Sequence, residues 1–264
     1  MRENRLRELL NEGKPTISTR MVTTSPQIVE IIGLSGAFDF IELLGEYASW
    51  TLPELENFAR AVELFPHMSS MMKVEREPRL FIAQRALGVG IQNLLFADCD
   101  SAEEVKECIS YVRPLTPEDG GLHGCGMRRN VGYVLESGSK DWVEAMRNVV
   151  IEIMIESARA MENLDEILSV KGIDMCHFGP CDYSLTVGKS WTKGSPEIKQ
   201  KNRDMIELAL KKGVRPRMII NSYEEAKEFV DMGVRDFCVG SDLRTLYSWC
   251  KLNGEKMREL LAAT

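Results

Sequence analysis

Short β-branched or apolar runs alternate with amphipathic stretches from one end of the chain to the other, and no other feature restricts the fold as much. The runs lie at 16–22, 38–44, 70–74, 93–96, 151–155, 175–178, 217–220 and 236–239, with helical patterns at 52–64, 79–87, 102–111, 141–149, 164–169, 201–212 and 223–232. Strands alternating with helices predict a parallel sheet. Eight of them in 264 residues fit one closed (β/α)8 barrel, a TIM barrel, which typically takes about 250 residues. The open doubly wound sheet is the alternative, but no GxGxxG follows the first strand. No Pro/Ser-rich linker separates two halves, so residues 1–264 are expected to form a single barrel domain.

One segment breaks the pattern. Residues 113–133, RPLTPEDGGLHGCGMRRNVGY, are rich in Gly, Pro and Arg and carry little helical or strand period. Loops of that length are usually functional or disordered, and this one is expected to cover the barrel mouth or to form a subunit contact. The net charge of −7 argues against nucleic-acid and anionic-membrane partners, which the surface would repel. The opening MRENRLRELLNEGK sets Leu6, Leu9 and Leu10 on one helical face among charges, which suits neither a signal-peptide core nor a membrane span. A cytoplasmic enzyme is expected. The seven cysteines are odd in number and contain no CxxC pair, so they read as reduced thiols rather than a disulfide framework or a zinc site.

Barrel enzymes carry their chemistry at the C-terminal ends of the strands. The run VVIEIMIES ends in Glu156, and the two-residue period of a strand puts Met154 and Glu156 on one face and Ile153 and Ile155 on the other. On the third strand, Lys73 shares an inward face with Met71. IDMCHFGPCDYS ends in a Gly-Pro turn that presents Asp182 just past a strand. Two carboxylates at neighbouring strand ends repel, so one must be protonated, salt-bridged or metal-bound. A hard divalent cation such as Mg²⁺ is a natural neutraliser. On the residues alone, Glu156 reads equally as a surface group and Asp182 as a turn cap.

The segment MIESARAMENLDEILSVKGIDMCHFGPCDYSLTVG resembles the HpcH/HpaI aldolase family, relatives of 2-dehydro-3-deoxyglucarate aldolase and 4-hydroxy-2-oxoheptanedioate aldolase. The resemblance extends to FDFIELLGEYAS at 38–49, to 71–74, to ALGVGIQNLLF at 86–96 and to GLHGCG at 121–126. It implies that Glu156 and Asp182 bind Mg²⁺, Mn²⁺ or Co²⁺, and that the backbone N–H groups around Cys181 and Asp182 receive the substrate carboxylate. It further implies a class II aldolase, joining pyruvate or a related 2-oxo acid to an aldehyde through an enolate and without a Schiff-base lysine. The oligomer it implies is homomeric, a dimer to a hexamer, with the C-terminal helix around 246–261 packed on a neighbour.

The departures are equally specific. Tyr47 stands where relatives have the catalytic base histidine, Leu44 and Gly88 where they have aspartates, Lys73 for an arginine, Met154 for a glutamine and His123 for the loop arginine. Lys73 keeps the charge of the arginine without its fork of donors. Tyr47 and His123 are both candidate bases, Tyr47 only if a neighbouring metal or lysine lowers its pKa, and each reads also as a packing or plain loop residue. Glu46 is expected to order Lys73 or water at the metal. His177 reads as a packed core residue. Two other functions stay open: an acyl-CoA lyase of the malyl-CoA or citrate-lyase type, and a catalytically weakened 2-oxo-acid-binding protein.

Overall fold

The computed structural model describes residues 2–189 and 194–263. Its eight strands are β1 (Thr16–Met21), β2 (Phe40–Leu43), β3 (Ser69–Val74), β4 (Asn93–Phe96), β5 (Ile151–Ile155), β6 (Met175–Phe178), β7 (Arg215–Ile220) and β8 (Asp236–Ser241). Each pairs in parallel with the next, and β8 returns to β1 to close the barrel. The (β/α)8 expectation holds, and every expected strand is present within two residues of its expected ends.

Strands covered on both faces bury both sets of side chains, and β2 through β6 do so along their whole length. The alternation sorts them into two apolar layers. Ile41, Leu43, Met72, Val74, Ile153 and Ile155 face the helices in the larger core. Phe40, Met71, Leu95, Met154 and Met175 fill the barrel interior together with Leu6. Leu6 comes from the first helix, Arg5–Asn11, and its N–H donates to Ser69 Oγ at 3.1 Å, so that helix plugs the N-terminal end of the barrel. Among the helices, Leu52–Glu63 starts on a Thr51/Glu54 capping box, and Pro196–Lys212 ends at Gly213 with a left-handed φ of 77°, which glycine adopts without strain.

The interior is not purely apolar. Arg217 on β7 is fully buried; its Nε donates to Glu152 Oε1 (3.0 Å), its Nη1 to Ser18 Oγ (3.3 Å), and its Nη2 ion-pairs with Glu42. His177, expected as plain core, is buried but lies 2.8 Å through Nδ1 from Glu152 Oε1. Burial holds its pKa below the ordinary histidine range, against the pull of Glu152, so the ring is neutral and Nδ1–H donates. One network of Ser18, Glu42, Glu152, His177 and Arg217 thus ties β1, β2, β5, β6 and β7 together from inside.

The main anchors of segment 113–133 lie away from the barrel mouth. Arg113 Nη1 donates to the carbonyls of Met146, Arg147 and Val149, just ahead of β5 (2.9 to 3.1 Å). Arg129 pairs with Glu63 and donates to Val89 O, at the ends of the helices that lead into β3 and β4. All of these anchors belong to the N-terminal face. Gly121 seals the fold-back, since a Cβ there would sit 1.9 Å from the Arg113 carbonyl oxygen. A cavity of about 840 Å³ on the same face, bordered by Arg2, Arg7, Arg129, Asn130 and Tyr133, holds none of the strand-end carboxylates. The last helix, Asp242–Ala262, buries no residue of its own, and Trp249 is 66% exposed. Among the described residues no helix is long and apolar enough to cross a membrane.

Candidate active site

Glu156 directly follows β5 and, with Ile155 turned to the helices, points into the mouth, where it is 3% exposed. Its Oε1 accepts the Asp98 N–H at 2.8 Å. Gly179 after β6 makes room for it, since a Cβ there would lie 2.6 Å from the Glu156 Cβ. Lys73 on β3 points inward above Met71, is 2% exposed, ion-pairs with Glu46, and donates to the Tyr47 hydroxyl at 2.9 Å. Its ammonium also sits 4.6 Å from the Tyr47 ring centroid.

The turn after β2 positions these partners. The Tyr47 and Ala48 N–H groups donate to Leu44 O (2.9 and 2.8 Å), and the Trp50 indole N–H donates to Gly45 O at 2.9 Å. Gly45 lies against β3 so closely that a Cβ would stand 2.7 Å from the Lys73 carbonyl oxygen. Past β6, Cys181 and Asp182 occupy the first turn of the helix Pro180–Thr186. N–H groups there have no partner within the helix and face outward.

Charge decides the protonation states. Burial draws the Lys73 pKa down, but the Glu156 carboxylate, Glu46 and Tyr47 outweigh it and hold the lysine above its ordinary range, so it stays protonated. Burial pushes Glu156 up to about 7, Lys73 and the Asp98 N–H oppose this, and the charges of Asp98 and Asp182 add to it. Tyr47 is 55% exposed, and its pKa is raised rather than lowered: burial raises it by more than Lys73 pulls it down.

Lys73, Glu46, Tyr47 and Glu156 therefore meet in one place, with Asp182 near enough for its charge to act on Glu156. Cys181, next to Asp182 in the sequence, is exposed. His123 is elsewhere, a correction to the expectation of a candidate base at the mouth. It is 2% exposed on the N-terminal face, with Nδ1 3.3 Å from Tyr111 O and its ring centroid 6.0 Å from that of Trp142. Burial pushes its pKa down to about 4.

Asp98 is a mouth residue that the sequence reading missed. It follows β4 with a left-handed φ of 53°, a conformation that aspartate tolerates better than most side chains, and Arg79 holds the turn by donating to the Ala97 and Asp98 carbonyls (2.7 and 2.8 Å). Burial, then Glu46, raises its pKa. The signal was available as the first charged residue after an apolar strand.

A divalent metal fits the donor set. Among the described residues no three His, Cys, Asp or Glu side chains converge as a cluster of ligands. Glu156 and Asp182 offer two hard oxygen donors, the number Mg²⁺ or Mn²⁺ takes while keeping several waters. The raised pKa of Glu156 marks a carboxylate that Lys73 alone does not compensate.

A sequence profile of the HpcH/HpaI aldolase/citrate lyase family matches residues 28–248. The chain belongs to that family. Among HpcH/HpaI relatives, the 4-hydroxy-2-oxovalerate aldolase of Novosphingobium aromaticivorans is 28% identical over 98% of this chain and 97% of its own length. The 2-keto-3-deoxy-L-rhamnonate aldolase of Salmonella gallinarum is 30% identical over 75% of this chain and 72% of its own. A solved HpcH/HpaI family protein from Burkholderia cenocepacia shares the fold, with a TM-score of 0.86 at 21% identity, over 97% of this chain and all of that one.

Proposed function

We propose that the protein is a divalent-metal-dependent aldolase that cleaves or forms a 4-hydroxy-2-oxo acid, with pyruvate or a related 2-oxo acid and an aldehyde as its fragments. The observation that carries this reading is the buried Lys73, held by Glu46 and Tyr47 at the same barrel mouth as the buried Glu156.

Glu156 and Asp182 would hold the metal. When bound, it supplies Lewis-acid stabilisation of the charge that develops on the 2-oxo oxygen. The N–H groups of Cys181 and Asp182 in the first turn of their helix donate to the substrate carboxylate. Lys73 donates to the oxygen that becomes an enolate, and Glu46 and Tyr47 fix its direction. A protonated lysine has no lone pair for imine formation, so the chemistry runs without a Schiff base. Tyr47 is the proton carrier that remains at the mouth, and with its pKa raised it works through the tyrosinate present at high pH: it takes a proton from the 2-oxo acid methyl, the enolate carbon bonds to the aldehyde carbon, and the phenol returns the proton to the new alkoxide. Cleavage runs the same transfers backwards.

The helix Asp242–Ala262 supports assembly with further copies of the chain, since Leu246, Trp249 and Leu260 are 60 to 66% exposed within one copy. The function is tested by incubating the protein with Mg²⁺ or Mn²⁺, pyruvate and a panel of aldehydes, followed by mass analysis. A product with the summed mass of both fragments, absent in chelator, is expected. No adduct from any aldehyde, or one that forms equally in chelator, would contradict the proposal.

A further inference from the structure

We propose that Arg20 binds a second carboxylate of the substrate, on the aldehyde-derived end, so that the site prefers dicarboxylic 4-hydroxy-2-oxo acids. This rests on the aldolase reading above and assigns a residue to the far side of the same site.

The strand period fixes where Arg20 points. Two residues earlier, Ser18 accepts from Arg217 inside the barrel, whereas Met21 belongs to the helix-facing core, so Arg20 is turned inward. It is paired in register with Glu42 on β2 and with Ser241 on β8. In a barrel of eight strands β1 lies opposite β5, so Arg20 stands across the mouth from Glu156. The N-terminal end is plugged by Leu6, and the half-buried Arg20 meets solvent through the mouth.

Its donors are unspent. Nε is buried without a hydrogen-bond partner, and among the described residues no hydrogen bond or ion pair engages the rest of the guanidinium. The contrast with other arginines is sharp: Arg7 grips Asp174 through two bonds (2.6 and 2.7 Å), Arg215 grips Asp236 (2.7 and 2.8 Å), and Arg217 bridges Glu42 and Glu152. Glu42 lies close enough to Arg20 for their charges to interact, but its hydrogen bond goes to Arg217. Lys73 is not free for the same task, because Glu46 and Tyr47 take two of its three donors and the enolate oxygen takes the third. A planar fork of donors facing a ligand site is the arrangement that takes a carboxylate in two parallel bonds.

The test compares two 2-oxo acids of equal length, 2-oxoheptanedioate and 2-oxoheptanoate, by isothermal titration in Mg²⁺. A charge-assisted pair predicts that the native protein binds the dicarboxylate roughly ten- to hundredfold more tightly. Arg20→Met should abolish the preference, and Arg20→Lys should restore part of it. Equal affinity for the two acids in the native protein, or a preference that survives in Arg20→Met, overturns the proposal; the native comparison decides even where a variant folds poorly. Glu156→Gln reports separately on the underlying reading, which predicts weaker binding of both acids. A dicarboxylate preference that is indifferent to Mg²⁺ and to Glu156→Gln would keep Arg20 and remove the metal-dependent site.

Discussion

Replacing Arg217 by methionine should destabilise the protein severely, and in a pH-dependent way. Arg217, Glu42 and Glu152 are all at most 1% exposed, so methionine leaves two carboxylates in the barrel without their cation. Breaking a buried ion pair from one side costs about 3–5 kcal/mol. For a chain of this size, at roughly 2–4 °C per kcal/mol, the melting point should fall by about 10 °C. The sign with pH follows from Glu42. In the native protein burial raises its pKa, but Arg217, helped by Arg20, outweighs burial and holds it below the ordinary value. That stability is present above the unfolded carboxylate pKa of about 4.3 and is lost as pH falls through the folded value. Without Arg217 the balance reverses, and the carboxyl binds its proton more tightly folded than unfolded. The deficit should therefore be larger at about pH 7.5 than at about pH 5. Urea denaturation of native protein, Arg217→Met and the triple variant Arg217→Met/Glu42→Gln/Glu152→Gln measures both effects, and the triple variant should recover more than half of the loss. A loss under about 1 kcal/mol at the higher pH, or a triple variant no more stable than the single one, would refute the reasoning.

Two further predictions concern the mouth. Lys73→Met should slow deuterium exchange into the pyruvate methyl by roughly 10² to 10³, the effect of removing one oxyanion donor, and borohydride should trap no pyruvate on the native protein; a covalent adduct on Lys73 would move the mechanism to an imine. Because the Tyr47 pKa lies above its ordinary value and His123 is buried on the opposite face, the exchange rate should keep rising beyond about pH 9, fall in Tyr47→Phe and be unchanged in His123→Asn, whereas a plateau near neutral pH would point to a different base.

The barrel was legible because its order is written in local polarity. The limits of β4, β5 and β6 coincide with their apolar runs, and the inward placement of Lys73 and Glu156 follows from counting by two from Met71 and Met154. Partners were not legible. Arg217 finds Glu42 across 175 positions and Glu152 across 65, and a charged residue on an inward strand face does not name its counter-ion. The glycines near His123 suggest a loop at the mouth, yet its place is set by Arg113, Tyr111 and Trp142, contacts that loop composition does not encode. Asp98 was hidden for another reason. The run Asp98-Cys99-Asp100-Ser101 reads as the cap of the next helix, and only the closed barrel turns its first member toward Glu156.

The central claim is that Glu156 and Asp182 hold a metal that, with Lys73, lets the protein draw a proton from a 2-oxo acid. Proton NMR of pyruvate in D₂O measures this step without any knowledge of the aldehyde. With Mg²⁺ or Mn²⁺ the methyl signal should disappear in the presence of the native protein, and it should persist in chelator, in Glu156→Gln and in Asp182→Asn. Exchange that continues in chelator or in either variant, or no exchange by the native protein with metal present, would contradict the account.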